Sequence, residues 1–132
     1  MNDENVLFER YYDVVLRQIM WGDSCEEAIQ RLEVNSVPVN LSKRIVQTAW
    51  KERVSSIRAI FWKKLILGGL LFSIGALLTI GVYHLSEGYK VWSFKALFIP
   101  LAPAAYGFWK MMEGFAGIIT AGSMTGPVSD IE

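Results

Sequence analysis

The feature that most constrains this chain is a run of 21 residues without a charged side chain, from Leu65 to Leu85. A helix needs about 20 apolar residues to cross a hydrocarbon core of roughly 30 Å. Because lipid offers the backbone no hydrogen-bond partners, a segment that crosses it has to be helical. The run therefore predicts a transmembrane helix over residues 65–85.

A second apolar segment follows after a short connection and is less continuous than the first. It is long enough to span if it covers about residues 92–110 and the Lys95 side chain extends to the interface. Pro100 and Pro103 lie within it and predict a kink, which a membrane helix tolerates where a neighbour covers the freed carbonyl groups. The short connection makes the two spans antiparallel neighbours, so we expect a hairpin.

Aromatic and basic side chains stand at the predicted ends of both spans, where interfacial anchors are found. Seven basic residues between Lys43 and Lys64 precede the first span, whereas Lys90 and Lys95 are the two between the spans. The positive-inside rule therefore predicts that the N-terminus and the C-terminus are both cytoplasmic. The predicted membrane-interface residues are Trp62, Lys63, Lys64, Tyr83, Trp92 and Trp109.

Small residues at four-residue spacing predict close helix contact, either within the hairpin or between copies of the chain. Lys110 and Glu113 are three residues apart and form a possible ion pair where the second span leaves the membrane. If that span instead runs on to Ala121, the pair is embedded and suggests a function. The predicted packing residues are Gly69, Ser73, Gly75, Thr79 and Gly107.

Before the spans, apolar residues at helical spacing predict short helices with one buried face each. The first runs from about Glu4 to Met20 and is stopped by Gly22. Ser24 is placed to cap a second helix, which ends near Asn35. The predicted buried faces of these two helices consist of Phe8, Tyr11, Tyr12, Val15, Ile19, Ala28, Ile29 and Leu32.

A third helix is expected to begin near Leu41, with Ser55 and Ser56 as its weakest point for a bend. Charge divides this head, because residues 1–33 carry a balance of −5 and residues 43–64 a balance of +6. Either the two parts pack on each other, or the basic part lies on anionic lipid; the two interpretations are compatible. The apolar side of the third helix consists of Leu41, Ile45, Ala49 and Trp50.

The predicted fold class is therefore all-α, with a small head of about three helices followed by a two-helix transmembrane hairpin. The predicted divisions are a cytoplasmic head and basic stem over residues 1–62, the hairpin over residues 63–113, and a glycine-rich tail over residues 114–132.

Residues with catalytic or ligand chemistry are few and widely separated. His84 is the single histidine, and Cys25 is the single cysteine and has acidic neighbours. A metal site or a catalytic dyad needs more convergent groups. The net charge is zero, with no basic patch interleaved with aromatic residues, so a nucleic-acid partner is not expected. The sequence therefore predicts a non-enzyme without catalytic, cofactor-binding or metal-binding residues.

One pattern resembles a known group of proteins. Gly22, Glu26, Glu27 and Leu32 form a G-x-x-x-E-E-x-x-x-x-L rhythm ahead of the basic stem, and Thr79-Ile-Gly-Val-Tyr83, Gly88-Tyr89 and Gly107 mark the hairpin. This layout is similar to that of small bacterial inner-membrane proteins with an N-terminal helical module and a two-helix hairpin. The prolines of the second span and the glycine-rich tail depart from it. The resemblance implies a bacterial inner membrane and no activity.

The functional hypothesis is a non-enzymatic, membrane-anchored interaction protein or an accessory subunit of a membrane assembly. Its expected partners are the lipid bilayer and either a protein partner or further copies of the chain. The alternative is a small oligomeric channel or transporter element, in which several hairpins surround a pore.

Overall fold

The computed structural model describes residues 3–85 and 94–131. Within these stretches the regular structure is helical, which confirms the all-α prediction. Two compact units are present: the head unit, made of residues up to Ile60 and from Thr120 onward, and the helix-pair unit, Phe61–Ile119. The elements are α1 (Asp3–Trp21), α2 (Cys25–Val34), α3 (Val39–Leu85), α4 (Phe94–Thr120) and a 3₁₀ helix (Val128–Ile131).

Helices α1 and α2 begin and end where the local sequence predicts. After α1, Gly22 has a φ of 105°, a left-handed conformation that glycine adopts without steric cost. The Oγ atom of Ser24 accepts a hydrogen bond from the Glu27 amide at 3.2 Å and so caps α2. Asn35 ends α2, and its Nδ2 donates to the carbonyl oxygen of Arg31 at 2.7 Å.

One apolar core joins α1, α2 and the first part of α3 in the head unit, and the predicted faces form it. The hydroxyl of Tyr12 also donates a hydrogen bond to Glu52, which ties α1 to α3. That hydrogen bond raises the pKa of Tyr12 to about 12, with a smaller contribution from burial. The buried members of the predicted faces are Val15, Ile19, Ala28, Leu32, Leu41, Ile45 and Ala49, and the partly buried ones are Phe8, Tyr11, Tyr12, Ile29 and Trp50.

The separation of a third head helix from the first span is wrong. Helix α3 is continuous for 47 residues from Val39, and the boundary between the two units falls within it. Its first turn is set by Pro38, whose carbonyl oxygen accepts a hydrogen bond from the Ser42 amide at 2.9 Å. The helix continues through Ser55 and Ser56 because serine costs little in a helix interior, and neither proline nor glycine occurs before Gly68.

Helix α4 extends about ten residues beyond the predicted end of the second span and stops at Thr120. Lys110 and Glu113 therefore lie within a continuous helix and not at its end. This agrees with the alternative in which the second span is longer. Pro100 and Pro103 are both accommodated inside α4. The predicted connection between the spans, residues 86–93, lies outside the described residues.

In the head unit, the buried side chain of Arg53 joins α1 to the segment that follows α4. Its Nη1 donates to the carbonyl oxygen of Ile19 at 2.6 Å, and its Nη2 donates to those of Met124 at 3.2 Å and Gly126 at 2.6 Å. The guanidinium also lies 5.4 Å from the Trp50 ring centroid. The glycine-rich tail, predicted as a separate segment, thus divides between α4 and the head unit.

We expect Arg53→Met to destabilise the head unit by about 3 kcal/mol, because it removes three charge-assisted hydrogen bonds and leaves buried carbonyl oxygens without donors. Arg58→Met, at an exposed position of α3, is the matched control and should change stability by less than about 0.5 kcal/mol. Thermal unfolding of the full chain measures the effect, as does the rate of proteolytic cleavage at sites beyond residue 120. Equal behaviour of the two variants would contradict this role of Arg53.

Candidate functional site

Glycine allows α3 and α4 to come into backbone contact in the helix-pair unit. A Cβ atom placed on Gly68 would lie 2.6 Å from the amide nitrogen of Met111 and 2.8 Å from the carbonyl oxygen of Gly107. One placed on Gly75 would lie 2.5 Å from the amide nitrogen of Ala104. The order of these contacts along the two helices shows that they are antiparallel.

The contact continues towards the other end of the helix pair. A Cβ atom on Gly114 would lie 2.8 Å from the amide nitrogen of Leu65 and 2.9 Å from the carbonyl oxygen of Phe61. Gly117 lies directly against the Phe61 ring. Contact positions recur every seven residues, which is the repeat of helices that pack side by side at a shallow angle. The buried residues at this spacing are Phe61, Gly68 and Gly75 on α3 and Pro100, Gly107 and Gly114 on α4.

Of the predicted packing residues, Gly75 and Gly107 lie at this contact. Gly69 has open space around its Cβ position. Ser73 is exposed, and its hydroxyl donates to the Gly69 carbonyl oxygen at 2.8 Å. Thr79 likewise donates within α3, to the carbonyl oxygen of Gly75 at 2.8 Å. The four-residue spacing placed Gly69 and Ser73 on the contact, but the contact repeats at seven residues and passes through Gly68.

Large apolar side chains form the outer surface of the helix-pair unit. Among the described residues, one helix is long and apolar enough to cross a membrane, over Val39–His84. Its most apolar 18-residue window is 11% buried within the protein. The exposed large apolar residues of the unit include Ile66, Leu67, Leu70, Phe72, Ile74, Leu77, Leu78 and Ile80 on α3, and Ile99, Leu101, Phe108, Met112, Phe115 and Ile119 on α4.

The predicted interface residues that the structure describes lie on the surface of this unit. Trp62 is 57% exposed and Trp109 is 69% exposed. Lys63 beside Trp62 is exposed as well. Tyr83 is half-exposed, and its ring contacts the edge of His84 at a centroid distance of 5.7 Å. Trp92 lies outside the described residues.

Three charged side chains converge between the two helices. Lys110 Nζ lies 2.7 Å from Oε2 of Glu113, which is the geometry of the ion pair that the sequence suggested. Lys64 of α3 also contacts this carboxylate, with its Nζ 3.5 Å from Oε1. Each of the three side chains is a quarter to a third exposed. A single glutamate thus holds one lysine from each helix, an arrangement that sequence spacing on one helix could not reveal.

On the head unit, residues of α2 and α3 line a mainly apolar groove that includes two lysines, here called the basic groove. Its volume is about 310 Å³. Lys43 and Lys51 on α3 contribute positive charge to the lining, and burial raises the pKa of the Cys25 thiol, which also lines the groove. The groove is lined by Cys25, Ile29, Lys43, Val46, Gln47, Trp50 and Lys51.

The described residues include no group of three or more His, Cys, Asp or Glu side chains that could hold a metal ion. The raised pKa of Cys25 keeps its thiol protonated near neutral pH, and a protonated thiol is a poor nucleophile. The outer surface of the helix-pair unit offers apolar area and indole rings for binding. The basic groove offers an apolar lining and two ammonium groups.

In comparisons with known proteins, no family model, curated protein or solved structure matches the chain. The resemblance to small bacterial inner-membrane proteins stays a prediction.

We expect Gly68→Ala to destabilise the helix pair by about 1–3 kcal/mol, because its Cβ would meet backbone atoms of α4 that cannot rotate away. Gly69→Ala, one residue further on, is the matched control, since nothing lies within 4 Å of its Cβ position. Alanine also favours the helix there. Thermal unfolding in detergent, followed by circular dichroism, compares the two. A Gly68→Ala protein as stable as Gly69→Ala would contradict the observed contact.

Proposed function

We propose that this chain is a non-enzymatic, membrane-anchored interaction protein, in which the helix-pair unit spans the bilayer and the head unit binds a protein segment in its basic groove. The observation that carries the proposal is the apolar outer surface of the helix-pair unit. Eight large apolar side chains of α3 between Ile66 and Ile80 are exposed, although this is the most apolar part of the chain.

The free energy of this surface favours lipid over water. Burying one large apolar side chain is worth roughly 1.5–3 kcal/mol, so eight that are about half exposed represent on the order of 10 kcal/mol. That sum is comparable with the total stability of an ordinary domain, about 5–15 kcal/mol. A bilayer removes the cost, because its acyl chains are as apolar as leucine.

Charge and aromatic residues support an orientation with the head unit in the cytoplasm. The basic residues that precede Leu65 outnumber Lys90 and Lys95, which lie between the spans. In this orientation the exposed indole of Trp62 occupies the cytoplasmic interface. We place the protein in a bacterial inner membrane on the sequence resemblance alone.

The basic groove favours a partner segment that is apolar on one face and acidic at its edges. Ile29, Val46 and Trp50 provide the apolar lining, and Lys43 and Lys51 of α3 provide positive charge. Charge of this kind steers association and selects the partner more than it adds affinity. A helix with spaced apolar anchors and flanking Asp or Glu residues fits this chemistry.

The channel alternative is less well supported. The helices of one copy meet through backbone atoms at Gly68, Gly75 and Gly107, which leaves no room for a solute between them. A pore would therefore need several copies arranged around a shared axis. The Lys64, Lys110 and Glu113 cluster is a polar feature that such a pore could use, and its single carboxylate already contacts both lysines.

Gln47 allows a direct test of docking, because it is exposed on α3 and lines the groove. The photo-crosslinking amino acid p-benzoylphenylalanine, introduced at position 47 and irradiated in native membranes, should give one defined, stoichiometric crosslinked product. Lys43→Glu combined with Lys51→Glu should lower its yield about tenfold, which corresponds to about 1.4 kcal/mol. Arg17→Glu, at an exposed site on α1 outside the groove, is the matched control and should preserve the yield.

Absence of a defined product, or an equal loss of product in the Arg17→Glu protein, would contradict docking in the groove. Release of the unmodified protein from membranes without detergent would contradict the membrane anchor.

A further inference from the structure

We propose that the partner that docks on the basic groove is a second copy of this chain, bound through a two-fold contact in which α2 of each copy meets α3 of the other. The inference rests on the proposed function, because it names the partner of the groove assigned there. The residues that carry it all belong to the head unit.

The two helices that line the basic groove carry opposite charge. Glu26 and Glu33, here called the acidic pair, are exposed on α2, three residues before and four residues after Ile29 of the groove lining. Residues three or four apart are neighbours on a helix surface, so both carboxylates flank Ile29. Lys43 and Lys51, here called the basic pair, lie on α3 within the lining. The surface is therefore acidic on α2 and basic on α3.

The two pairs do not neutralise each other within one copy. In the part of the head unit that the structure describes, no ion pair joins a carboxylate of the acidic pair to an ammonium group of the basic pair. Arg31 of α2 is engaged by Asp23 instead, with 2.8 Å between Nη1 and Oδ2. Complementary charges that one copy leaves unpaired favour association with a second copy that presents the same charges.

Apolar side chains accompany these charges on both helices. Ile29 of α2 and Val46 and Trp50 of α3 line the groove. Ile29 and Trp50 are only partly buried by the core of the head unit, so each keeps apolar area for a partner. Tryptophan is enriched among the residues that carry most of the binding energy of an interface. The patch therefore combines apolar contact area with both signs of charge.

A two-fold axis satisfies both signs of charge at once. A symmetric dimer uses the same surface on both copies, so that surface has to complement itself. An axis that runs between α2 and α3 sets the acidic pair of each copy against the basic pair of the other. An unrelated partner would have to supply an apolar residue flanked by carboxylates, which α2 already presents at Ile29. Anchoring in one bilayer also raises the effective concentration of one head unit for another, which favours a contact of modest area.

Photo-crosslinking between differently tagged full-length copies tests the proposal, with p-benzoylphenylalanine at position 47 and irradiation of native membranes. We expect a product that carries both tags and has about twice the mass of the chain. Lys43→Glu with Lys51→Glu in both copies should lower its yield about tenfold, and so should Glu26→Lys with Glu33→Lys in both copies, because like charges then face each other. One copy of each kind, produced together, should restore the yield, because opposite charges meet again.

Arg10→Glu combined with Arg17→Glu is the matched control. It makes the same change of charge at exposed positions of α1 outside the groove lining and should preserve the yield. Variants that failed to fold could not regain a contact by mixing, so the mixed copies separate loss of folding from loss of docking.

A product that joins position 47 to a different protein would overturn the two-fold contact and leave the proposed function standing. Mixed copies that fail to restore the yield, or an equal loss in the control, would overturn the contact as well. Absence of any product would remove both the second copy and the docking role of the groove.

Discussion

The approach of α3 to α4 through glycine decides where every large side chain of the helix-pair unit can go. With Gly68 and Gly75 against Gly107 and Ala104, the space between the helices is filled by backbone atoms. Phe61, whose ring lies against Gly117, is a large side chain within the contact, and most of the other large apolar side chains cover the outside of the unit. This is the reverse of a water-soluble domain, and it is the basis of the proposal that the unit lies in a bilayer.

The head unit is organised by the opposite arrangement. Its core consists of apolar side chains that point inward, among them Ile19 on α1, Leu32 on α2 and Ile45 on α3, and most of its charges are exposed. The buried exception is Arg53, whose two terminal guanidinium nitrogens donate to carbonyl oxygens at the end of α1 and in the C-terminal segment, while its Nε has no hydrogen-bond partner. A cation at a helix C-terminus is favoured by the helix dipole. The head therefore combines an ordinary core with one charged tie to the end of the chain.

Periodicity and capping predicted the parts of the fold that depend on neighbours in sequence. The ends of α1 and α2, marked by Gly22, Ser24 and Asn35, and the faces that form the core belong to this class. The continuity of α3 was missed because the change from charged to apolar residues along it resembles a boundary between two helices, although the backbone continues through it. The role of Arg53 was missed because its partners are carbonyl groups, which any residue can supply, and two of them lie more than 70 positions away.

The candidate functional residues also fall into two classes, those that the local sequence identifies and those that only the packing of two helices identifies. Trp62, Trp109, Lys110 and Glu113 could be selected by residue type and local spacing, whereas the addition of Lys64 required the packing of two helices. Four-residue spacing selected Gly69 instead of Gly68, a difference of one residue that turns the position away from the contact. The repeat at seven residues was present in the sequence, at Gly68 and Gly75 and again at Gly107 and Gly114, and it could have been used. The basic groove lies between two helices and has no signature within either one.

The central claim is that the exposed apolar surface of the helix-pair unit faces lipid, and cysteine labelling in intact membranes tests it most directly. In a Cys25→Ser background, Leu77→Cys and Val34→Cys place single thiols at positions that are 69% and 85% exposed on the protein. A charged, water-soluble maleimide added to opened membranes should label Val34→Cys at once. A lipid-facing helix pair predicts that Leu77→Cys reacts only after the membrane is dissolved in SDS. Equal labelling of both thiols before SDS would show that this surface faces water, and would contradict the claim.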